Sequence, residues 1–249
     1  MNRILFEPSE VKDGIATCDG ARAEHIVRVL HGEPGQRLKI GVLDGPIGTG
    51  VNESVRTAEA GPGLEPAYCV AVKAELGEES LRPWADLVLA PPRPRVMKRL
   101  LPQLASMGVG KIVLVGAKKV EKDFWGATLL KEENYRPLLV EGLMQAGTSI
   151  VPTLETRRNF RKFVTDELDA MFPAGDRVVA HPYADGRCAS APCGGGRLLL
   201  AVGPEGGWTD EEVTLLESRG FRRYSLGGRI LKTETATIAL LSKLNKEEQ

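Results

Sequence analysis

The sequence lacks the long apolar runs, the signal-peptide core and the cysteine density that define several protein classes. No run of about 18 uncharged apolar residues occurs, so the sequence predicts no membrane-spanning helix. No apolar signal core precedes the first acidic residue, Glu7, so secretion is not expected. The four cysteines are widely scattered, as is usual for reduced thiols. We therefore expect a soluble, cytoplasmic protein.

Metal ligands are also scarce, because the chain contains only three histidines. His181 lies upstream of Cys188 and Cys193, the closest cysteine pair, but no flanking histidines complete a zinc-ligand pattern. A site built from these three residues is a weak alternative, and we expect no bound metal.

The chain has no net charge, since 33 basic residues balance 33 acidic ones, which argues against indiscriminate binding of nucleic acid. The charges are nevertheless unevenly distributed. Residues 81–119 hold eight basic residues and one acid, Asp86, and a second basic cluster occupies residues 157–162. A solvated helix face is the ordinary explanation of a charge run. The first cluster, however, begins in a proline-rich loop that offers Arg93 and Arg95, and such a loop suits phosphate contacts.

The first seventy or so residues have the pattern of a small β-barrel. Predicted strands over residues 38–43 and 68–74 are separated by glycine and proline turns, and one helix is predicted over residues 21–30. A polar stretch at residues 77–80 suits a linker. We therefore place one domain at residues 1–76 and a second at residues 81–249.

The second domain alternates apolar strands with helices. The predicted strands cover residues 86–90, 111–115, 177–180, 197–202 and 223–226. The predicted helices cover residues 96–107, 135–147, 210–219 and 233–244. Continuous apolar strands that alternate with helices are typical of a parallel sheet covered on both faces. The predicted fold class of this domain is α/β.

Two glycine-rich turns follow predicted strands in the last fifty residues. The first is Gly-Pro-Glu-Gly-Gly at residues 203–207, and the second contains Gly227 and Gly228. Ligands bind at strand ends in open α/β sheets, and glycine lets the backbone approach a ligand closely. A tight turn alone would explain one or two glycines of the first motif, but not three around a proline and a glutamate.

Each turn leads into a predicted helix. Thr209 and Glu212 form a capping box for the first helix, and Thr233 is the expected N-cap of the last. Neither turn is a phosphate-binding motif, because no Lys-Ser/Thr pair ends the first and no G-x-G-x-x-G opens a βαβ unit. A nucleotide-dependent hydrolase therefore ranks far behind other enzymes.

The two turns together, LAVGPEGGW at residues 200–208 and LGGRILKTETA at residues 226–236, closely resemble the small-subunit ribosomal-RNA uridine-N3 methyltransferases of the SPOUT class. The resemblance covers almost the whole chain, including Phe6, residues 25–30 and His181. It implies methylation of N3 of a uridine in small-subunit (16S) ribosomal RNA, with S-adenosylmethionine as cofactor.

The resemblance also implies a fold and a cofactor site. The fold would be a PUA-like, RNA-binding β-barrel followed by a SPOUT-type parallel sheet with a deep trefoil knot. True knots are nearly absent from proteins, so no pattern rule predicts this feature. The implied cofactor-binding residues are His181, Val202, Gly203, Pro204, Gly206, Leu226, Gly227, Ile230 and Leu231.

A homodimer that completes the site is implied as well. Ile238, Leu241 and Leu244 form an apolar stripe on the last helix, which we expect at the dimer interface. Packing of this stripe on its own sheet is the ordinary alternative.

Methyl transfer from a sulfonium requires the protein to position the reactants and to manage one proton. Uridine N3 is a poor nucleophile until it loses its proton, so a nearby cation would stabilise the anion and a carboxylate could accept the proton. The candidate cations are Arg229, which we rank first, and Lys232, and the candidate bases are Glu205 and Glu234. The candidate RNA contacts are Arg3, Arg28, Arg93 and Arg95.

The chain departs from the family pattern at several positions. Met144 stands where a glutamate is usual, and Thr148 and Ile150 replace basic residues. Gly228 replaces a proline and Lys232 an arginine in the second turn. The cofactor glycines are intact, whereas RNA-facing and interface polar groups are altered. Two alternatives therefore stay open: methylation of another RNA base, and a non-catalytic RNA-binding or ribosome-assembly factor, which need not bind the cofactor.

Overall fold

The computed structural model describes residues 3–58, 67–182 and 197–245, which divide between two compact units. Unit 1 comprises Met1–Leu81 with Leu143–Val151, and unit 2 comprises Arg82–Gly142 with Pro152–Gln249. The return of residues 143–151 to unit 1 has no counterpart in the two predicted domains.

Hydrogen bonds explain why this return segment belongs to unit 1. The Asp44 amide donates to the Ser149 carbonyl at 2.8 Å, and the Ser149 hydroxyl donates to the Gly45 carbonyl at 2.6 Å. The Val151 amide donates to the Asp44 carboxylate at 2.8 Å. These contacts join positions about one hundred residues apart in sequence, and no local sequence pattern predicts them.

Among its described residues, unit 1 contains a six-stranded sheet, a short 3-10 helix (Pro8–Glu10) and one longer helical segment. Its strands are β1 (Ile4–Phe6), β2 (Val11–Lys12), β3 (Ile15–Asp19), β4 (Arg37–Val42), β5 (Ile47–Ala58) and β6 (Ala67–Glu78), in the order β1-β4-β5-β6-β3-β2. The helix α1 (Gly20–Glu24) continues as a π-helical turn over His25–Val29. The predicted strands at residues 38–43 and 68–74 and the helix at 21–30 are confirmed, with ends shifted by a few residues.

The core of unit 1 is built from apolar side chains of the sheet and the helical segment, among them Phe6, Ile26 and Ile40. Cys18 is buried in this core as a free thiol, and burial raises its pKa to about 11. A thiol with so high a pKa is protonated near neutral pH, which suits a structural rather than a reactive cysteine.

The described residues of unit 2 form six parallel strands, as predicted for an α/β fold. They are β7 (Ala85–Leu89), β8 (Val109–Val115), β9 (Thr153–Arg157), β10 (Arg177–Ala180), β11 (Leu198–Val202) and β12 (Arg222–Tyr224), in the order β12-β10-β11-β7-β8-β9. Strand β9 was not predicted, because it is a polar, half-exposed edge strand with the sequence TLETR.

The four longer helices that begin in unit 2 lie close to their predicted positions. They are α2 (Pro94–Ser106), α3 (Glu132–Ala146), α6 (Asp210–Glu217) and α7 (Thr233–Leu244). The last residues of α3 belong to unit 1. A further helical segment combines α4 (Phe160–Lys162), a π-helical turn over Phe163–Glu167 and α5 (Leu168–Met171). Within the described residues, no helix is long and apolar enough to cross a membrane.

The two predicted helix caps have different outcomes. At α6 the capping box is confirmed, because the Thr209 hydroxyl accepts from the Glu212 amide at 3.3 Å and the Glu212 carboxylate accepts from the Thr209 amide at 2.8 Å. At α7 the prediction of Thr233 as N-cap is wrong. Lys232 occupies the cap position with an extended backbone, and Thr233 is already the first helical residue.

Two of the three residues in the apolar stripe of α7 pack within their own unit, whereas Ile238 is half-buried. Leu241 and Leu244 are buried, and α7 contacts α2 and β11. The expectation that these two leucines form a dimer interface is therefore wrong, since their surface is already covered by the same chain.

Because all six strands of unit 2 are parallel, their carboxyl ends lie along one edge of the sheet, which we call the carboxyl edge. The carboxyl ends of β10, β11 and β12 lie in one half of this edge, and those of β7, β8 and β9 lie in the other. Both glycine turns belong to the first half.

Candidate functional site

The loops after β10, β11 and β12 line a cavity of about 450 Å³ at the carboxyl edge. Residues from the start of α7, including Thr233 and Ala236, complete its wall. The structure thereby brings together all nine residues that the family resemblance implies for cofactor binding. These are His181, Val202, Gly203, Pro204, Gly206, Leu226, Gly227, Ile230 and Leu231.

The first turn is crowded where it meets Trp208. A Cβ atom at Gly203 would lie 3.1 Å from the Trp208 backbone nitrogen and 3.1 Å from its indole Nε1. Gly207 has a φ of +70°, in the left-handed region that favours glycine. Both glycines therefore have a local structural reason in addition to the space they leave for a ligand.

Trp208 borders the cavity with an unsatisfied donor. Its side chain is 7% exposed and packs against Phe160 with ring centroids 5.2 Å apart. The indole Nε1 is buried, and among the described residues it has no hydrogen-bond partner. Buried N–H groups are nearly always bonded, so this donor at the cavity wall lacks an acceptor that the described residues do not supply. The sequence gives no sign that this tryptophan differs from one that serves only the core.

The second turn is connected to the loop after β10 through Ser225. Its hydroxyl donates to the Pro182 carbonyl at 3.0 Å and accepts from the Gly227 amide at 3.1 Å. Gly227 has a φ of +116°, where other residues would be strained. Ser225 was not among the predicted site residues, because the sequence places it inside the strand predicted at residues 223–226, whereas β12 ends at Tyr224.

Of the four candidate catalytic residues, Arg229 and Glu205 line the cavity, and both are exposed. Lys232 and Glu234 are absent from its described lining. They lie at the start of α7, Lys232 at the cap position and Glu234 in the first turn. The geometry therefore favours Arg229 as the cation and Glu205 as the base.

Lys119 is a lining residue that the prediction of the site missed. It follows β8, and its Nζ donates to the Gly206 carbonyl at 2.8 Å, which holds the first turn from the neighbouring loop. In the sequence it is one of eight basic residues within residues 81–119, and nothing there separates it from Lys118.

The candidate RNA contacts lie in different settings. Arg93 and Arg95 are exposed after β7, and Arg93 donates to the Glu121 carboxylate at 3.2 Å. Arg28, in unit 1, pairs with Glu24 at 3.1 Å and lies over the Tyr68 ring at 5.7 Å.

Arg3 forms hydrogen bonds to backbone carbonyls of unit 1. Its guanidinium donates to the carbonyls of Gly147, Ile40 and Gly48 at 2.9, 2.6 and 2.8 Å. Burial lowers its pKa. Nε and Nη1 of Arg3 are thus bonded within unit 1, and its assignment as an RNA contact stays a prediction. Arg3 holds residue 147 of the return segment to the sheet of unit 1.

Within residues 3–58, 67–182 and 197–245, no group of three or more His, Cys, Asp or Glu side chains could hold a metal ion. Cys188 and Cys193, which form the alternative metal site with His181, lie outside these ranges.

The sequence matches the family model of the RNA methyltransferase domain over residues 79–245. It is 33% identical over 248 residues to ribosomal RNA small subunit methyltransferase E of Treponema pallidum, covering 96% of this chain and 88% of that protein. Identity to ribosomal RNA small subunit methyltransferase E 1 of Borreliella burgdorferi is 25% over 249 residues, with 96% and 95% covered.

Two solved structures share the fold. A methyltransferase of Legionella pneumophila in complex with S-adenosylmethionine superposes with a TM-score of 0.75 at 24% identity, covering 97% of this chain and 96% of the other. Ribosomal RNA small subunit methyltransferase E of Neisseria gonorrhoeae, bound to S-adenosylmethionine, gives 0.72 at 20% identity, with 98% and 96% covered. The family model and the Treponema relative together show that this chain belongs to the RNA methyltransferase family that includes ribosomal RNA small subunit methyltransferase E.

Proposed function

We propose that this chain transfers a methyl group from S-adenosylmethionine to N3 of a uridine in small-subunit ribosomal RNA. The observation that carries the proposal is the cavity of about 450 Å³, which both glycine turns line in a chain of this family. Its relatives are named for methylation of small-subunit ribosomal RNA, and two proteins of the same fold bind S-adenosylmethionine.

The cavity suits the proposed cofactor in size and chemistry. Sites for small molecules and cofactors typically measure about 300–1,000 Å³ and combine apolar walls with a few polar groups. Leu226, Ile230 and Leu231 supply apolar surface for an adenine ring. The unsatisfied Trp208 indole N–H supplies a donor for an oxygen acceptor of the cofactor. Bound there, the cofactor supplies a methyl group that its sulfonium has already activated.

The protein's own contribution is to generate a nucleophile. The N3 proton of uridine passes to the Glu205 carboxylate, and the Arg229 guanidinium stabilises the negative charge that develops on the base. The new bond joins N3 to the methyl carbon as the sulfur–carbon bond breaks, which leaves S-adenosylhomocysteine and methylated uridine. Lys232 and Glu234 remain alternatives for these two roles from the first turn of α7.

Single-turnover methylation at saturating RNA and cofactor tests the role of Arg229. Arg229→Ala should slow the transfer about a hundredfold, as removal of one preorganised charge-stabilising donor does. Lys232→Ala tests the alternative cation, and because Lys232 is not part of the described lining the rate should change less than threefold. Equal rates in the Arg229 variant and the wild type would overturn the assignment.

We also propose the finer architecture that the family resemblance implies: a PUA-like barrel in unit 1 and a SPOUT-type trefoil knot in unit 2, in a cytoplasmic protein. A homodimer is proposed on a different surface from the α7 stripe. Ile230 is 74% exposed and Leu231 38% beside the cavity, and a second copy would cover them. Light scattering should give twice the chain mass of 27.0 kDa, whereas a monomer at working concentration would contradict the dimer.

A further inference from the structure

A second cavity, of about 350 Å³, lies in the other half of the carboxyl edge of unit 2. It is lined by the loops after β8 and β9 and by the start of α6. The lining residues used below are Lys118, Arg158, Arg161, Thr209, Glu211 and Glu212.

The basic residues that follow Arg157 at the end of β9 differ from Arg157 itself. Arg158, Arg161 and Lys162 are exposed and have no carboxylate partner among the residues that the structure describes. The preceding Arg157, by contrast, donates to Glu155 at 2.7 Å and to Glu167 at 2.5 Å. Three neighbouring cations without counter-charge leave a positive potential at this part of the edge.

Arg158 is held in place by Trp125. Its guanidinium lies 5.8 Å from the centre of the indole ring, and its Nη2 donates to the Trp125 carbonyl at 3.2 Å. A guanidinium fixed in this way presents its remaining donors as a planar fork, which matches the oxygens of a phosphate.

The carboxylates of the cavity are largely committed to other partners. Glu212 is 9% exposed, and its two oxygens accept from the backbone amides of Lys118 and Thr209 at 2.7 and 2.8 Å. Glu211 is exposed and lies 4.0 Å from the Lys118 ammonium, so these two charges offset each other. Glu212 keeps its negative charge, so Arg158 and Arg161 leave the lining with about one net positive charge, which attracts an anion.

Residues that are neighbours in the sequence line the second cavity and the proposed cofactor cavity. Lys118 lines the second cavity and its neighbour Lys119 lines the first. The start of α6 borders both, since Asp210 lines the first and Glu211 the second. A ligand that spans this edge can thus contact both sites.

We propose that the second cavity binds a backbone phosphate of the RNA strand beside the methylated nucleotide, with Arg158 and Arg161 as its main contacts. This inference rests on the proposed function, which makes RNA the substrate. The proposed phosphate site adds the loop after β9 to the RNA contacts proposed for the loop after β7. Both loops follow strands in the half of the carboxyl edge that does not hold the cofactor cavity.

Filter binding of a small-subunit ribosomal RNA transcript at several salt concentrations tests the proposal. The variant Arg158→Gln/Arg161→Gln should bind about tenfold more weakly. Its slope of log affinity against log salt should be shallower by about 0.7 for each single-strand phosphate that the variant no longer neutralises. Arg222→Gln is the matched control, because Arg222 is an exposed arginine at the start of β12, where it pairs with Asp176 at 3.5 Å. It should keep the wild-type slope.

Calorimetry with S-adenosylmethionine serves as a separate readout and should give the same affinity for the double variant and the wild type. If the double variant does not fold, Arg161→Gln alone should still lower the slope. An unchanged affinity for RNA, or a weaker affinity with an unchanged slope, would overturn the phosphate site, whatever the wild type methylates. A wild type that binds RNA with the expected slopes but methylates nothing would instead overturn the proposed function and leave the phosphate site standing.

Discussion

The hydroxyl of Thr233 donates to the carbonyl of Gly203 at 3.4 Å and so connects the two glycine turns of the site. Thr233 is 5% exposed and begins α7, whereas Gly203 follows β11, thirty residues earlier. The hydroxyl therefore fixes the start of α7 against the first turn, with the cavity lining on both sides of the contact.

Replacement of this hydroxyl by a methyl group should loosen the site without changing its volume. Thr233→Val should weaken binding of S-adenosylmethionine about fivefold, since a single hydrogen bond contributes about 1 kcal/mol. Thr235→Val, on the exposed face of α7, is the control and should bind normally. Calorimetry measures both variants, and wild-type affinity in the Thr233 variant would show that the contact does not organise the cavity.

Two tryptophans allow a paired experiment on the indole donors. The Trp208 Nε1 has no partner among the described residues, whereas the Trp84 Nε1 donates to the Met107 carbonyl at 2.7 Å. Trp208→Phe should therefore weaken cofactor binding about fivefold. Trp84→Phe should lower the free energy of unfolding by about 1 kcal/mol and leave cofactor affinity unchanged. Equal cofactor affinity in the two variants would contradict a donor role for Trp208.

The loop after β7 should bind RNA without taking part in the chemistry. Arg93→Ala/Arg95→Ala should weaken RNA binding and reduce its salt slope by roughly one unit for each phosphate that is no longer neutralised. The methyl-transfer rate at saturating RNA should stay normal. Arg93 pairs with Glu121, so Glu121→Gln releases the Arg93 guanidinium from its ion pair. This variant should strengthen RNA binding slightly. A rate defect of the double variant at saturation would refute this division of roles.

The ion pair between Asp86 and Arg197 should stabilise unit 2 in a pH-dependent way. Burial is the largest influence on Asp86 and raises its pKa, while Arg197 acts in the opposite direction. Arg197→Ala should lower the free energy of unfolding by about 2 kcal/mol at pH 7, because a buried carboxylate loses its main partner.

The sign of the pH dependence follows from the raised pKa of Asp86. A group whose pKa is higher in the folded than in the unfolded protein binds more protons when folded. The free-energy cost of burying the ionised carboxylate therefore appears as the pH rises through the pKa of the folded protein. It disappears below the pKa of the unfolded protein, near 4. The deficit of Arg197→Ala should be smaller at pH 4 than at pH 7 in urea unfolding. A deficit that does not vary with pH would mean that a loss of packing, not of charge, is responsible.

Much of unit 2 could be predicted because its strands are buried and apolar and its helices carry recognisable ends. Strand β11 and the capping box of α6 are examples, since each depends on a few consecutive residues. Strand β9 could not be found in this way, because an exposed edge strand has no apolar period. The return segment at residues 143–151 depends on hydrogen bonds to distant residues, for which no local pattern exists.

In the candidate site too, features that depend on local sequence motifs could be predicted, and features that depend on tertiary contacts could not. The glycine turns are local motifs, and the parallel sheet brings their strand ends together, so their shared cavity could be expected. Lys119 and Ser225 could not be identified, because their contacts with Gly206 and Pro182 depend on the tertiary structure. The N-cap at Thr233 was mispredicted for a similar reason, since its hydroxyl bonds to another loop rather than to its own helix.

The most direct test of the proposed function is mass spectrometry of nucleosides after a methylation reaction. Purified protein would be incubated with methyl-labelled S-adenosylmethionine and small ribosomal subunits from a strain that lacks the gene. The proposal predicts label in 3-methyluridine, one methyl group per small-subunit RNA, with strongly reduced incorporation by Arg229→Ala. Label in a different nucleoside would contradict the assignment to uridine N3, and no label in RNA would contradict methyl transfer itself.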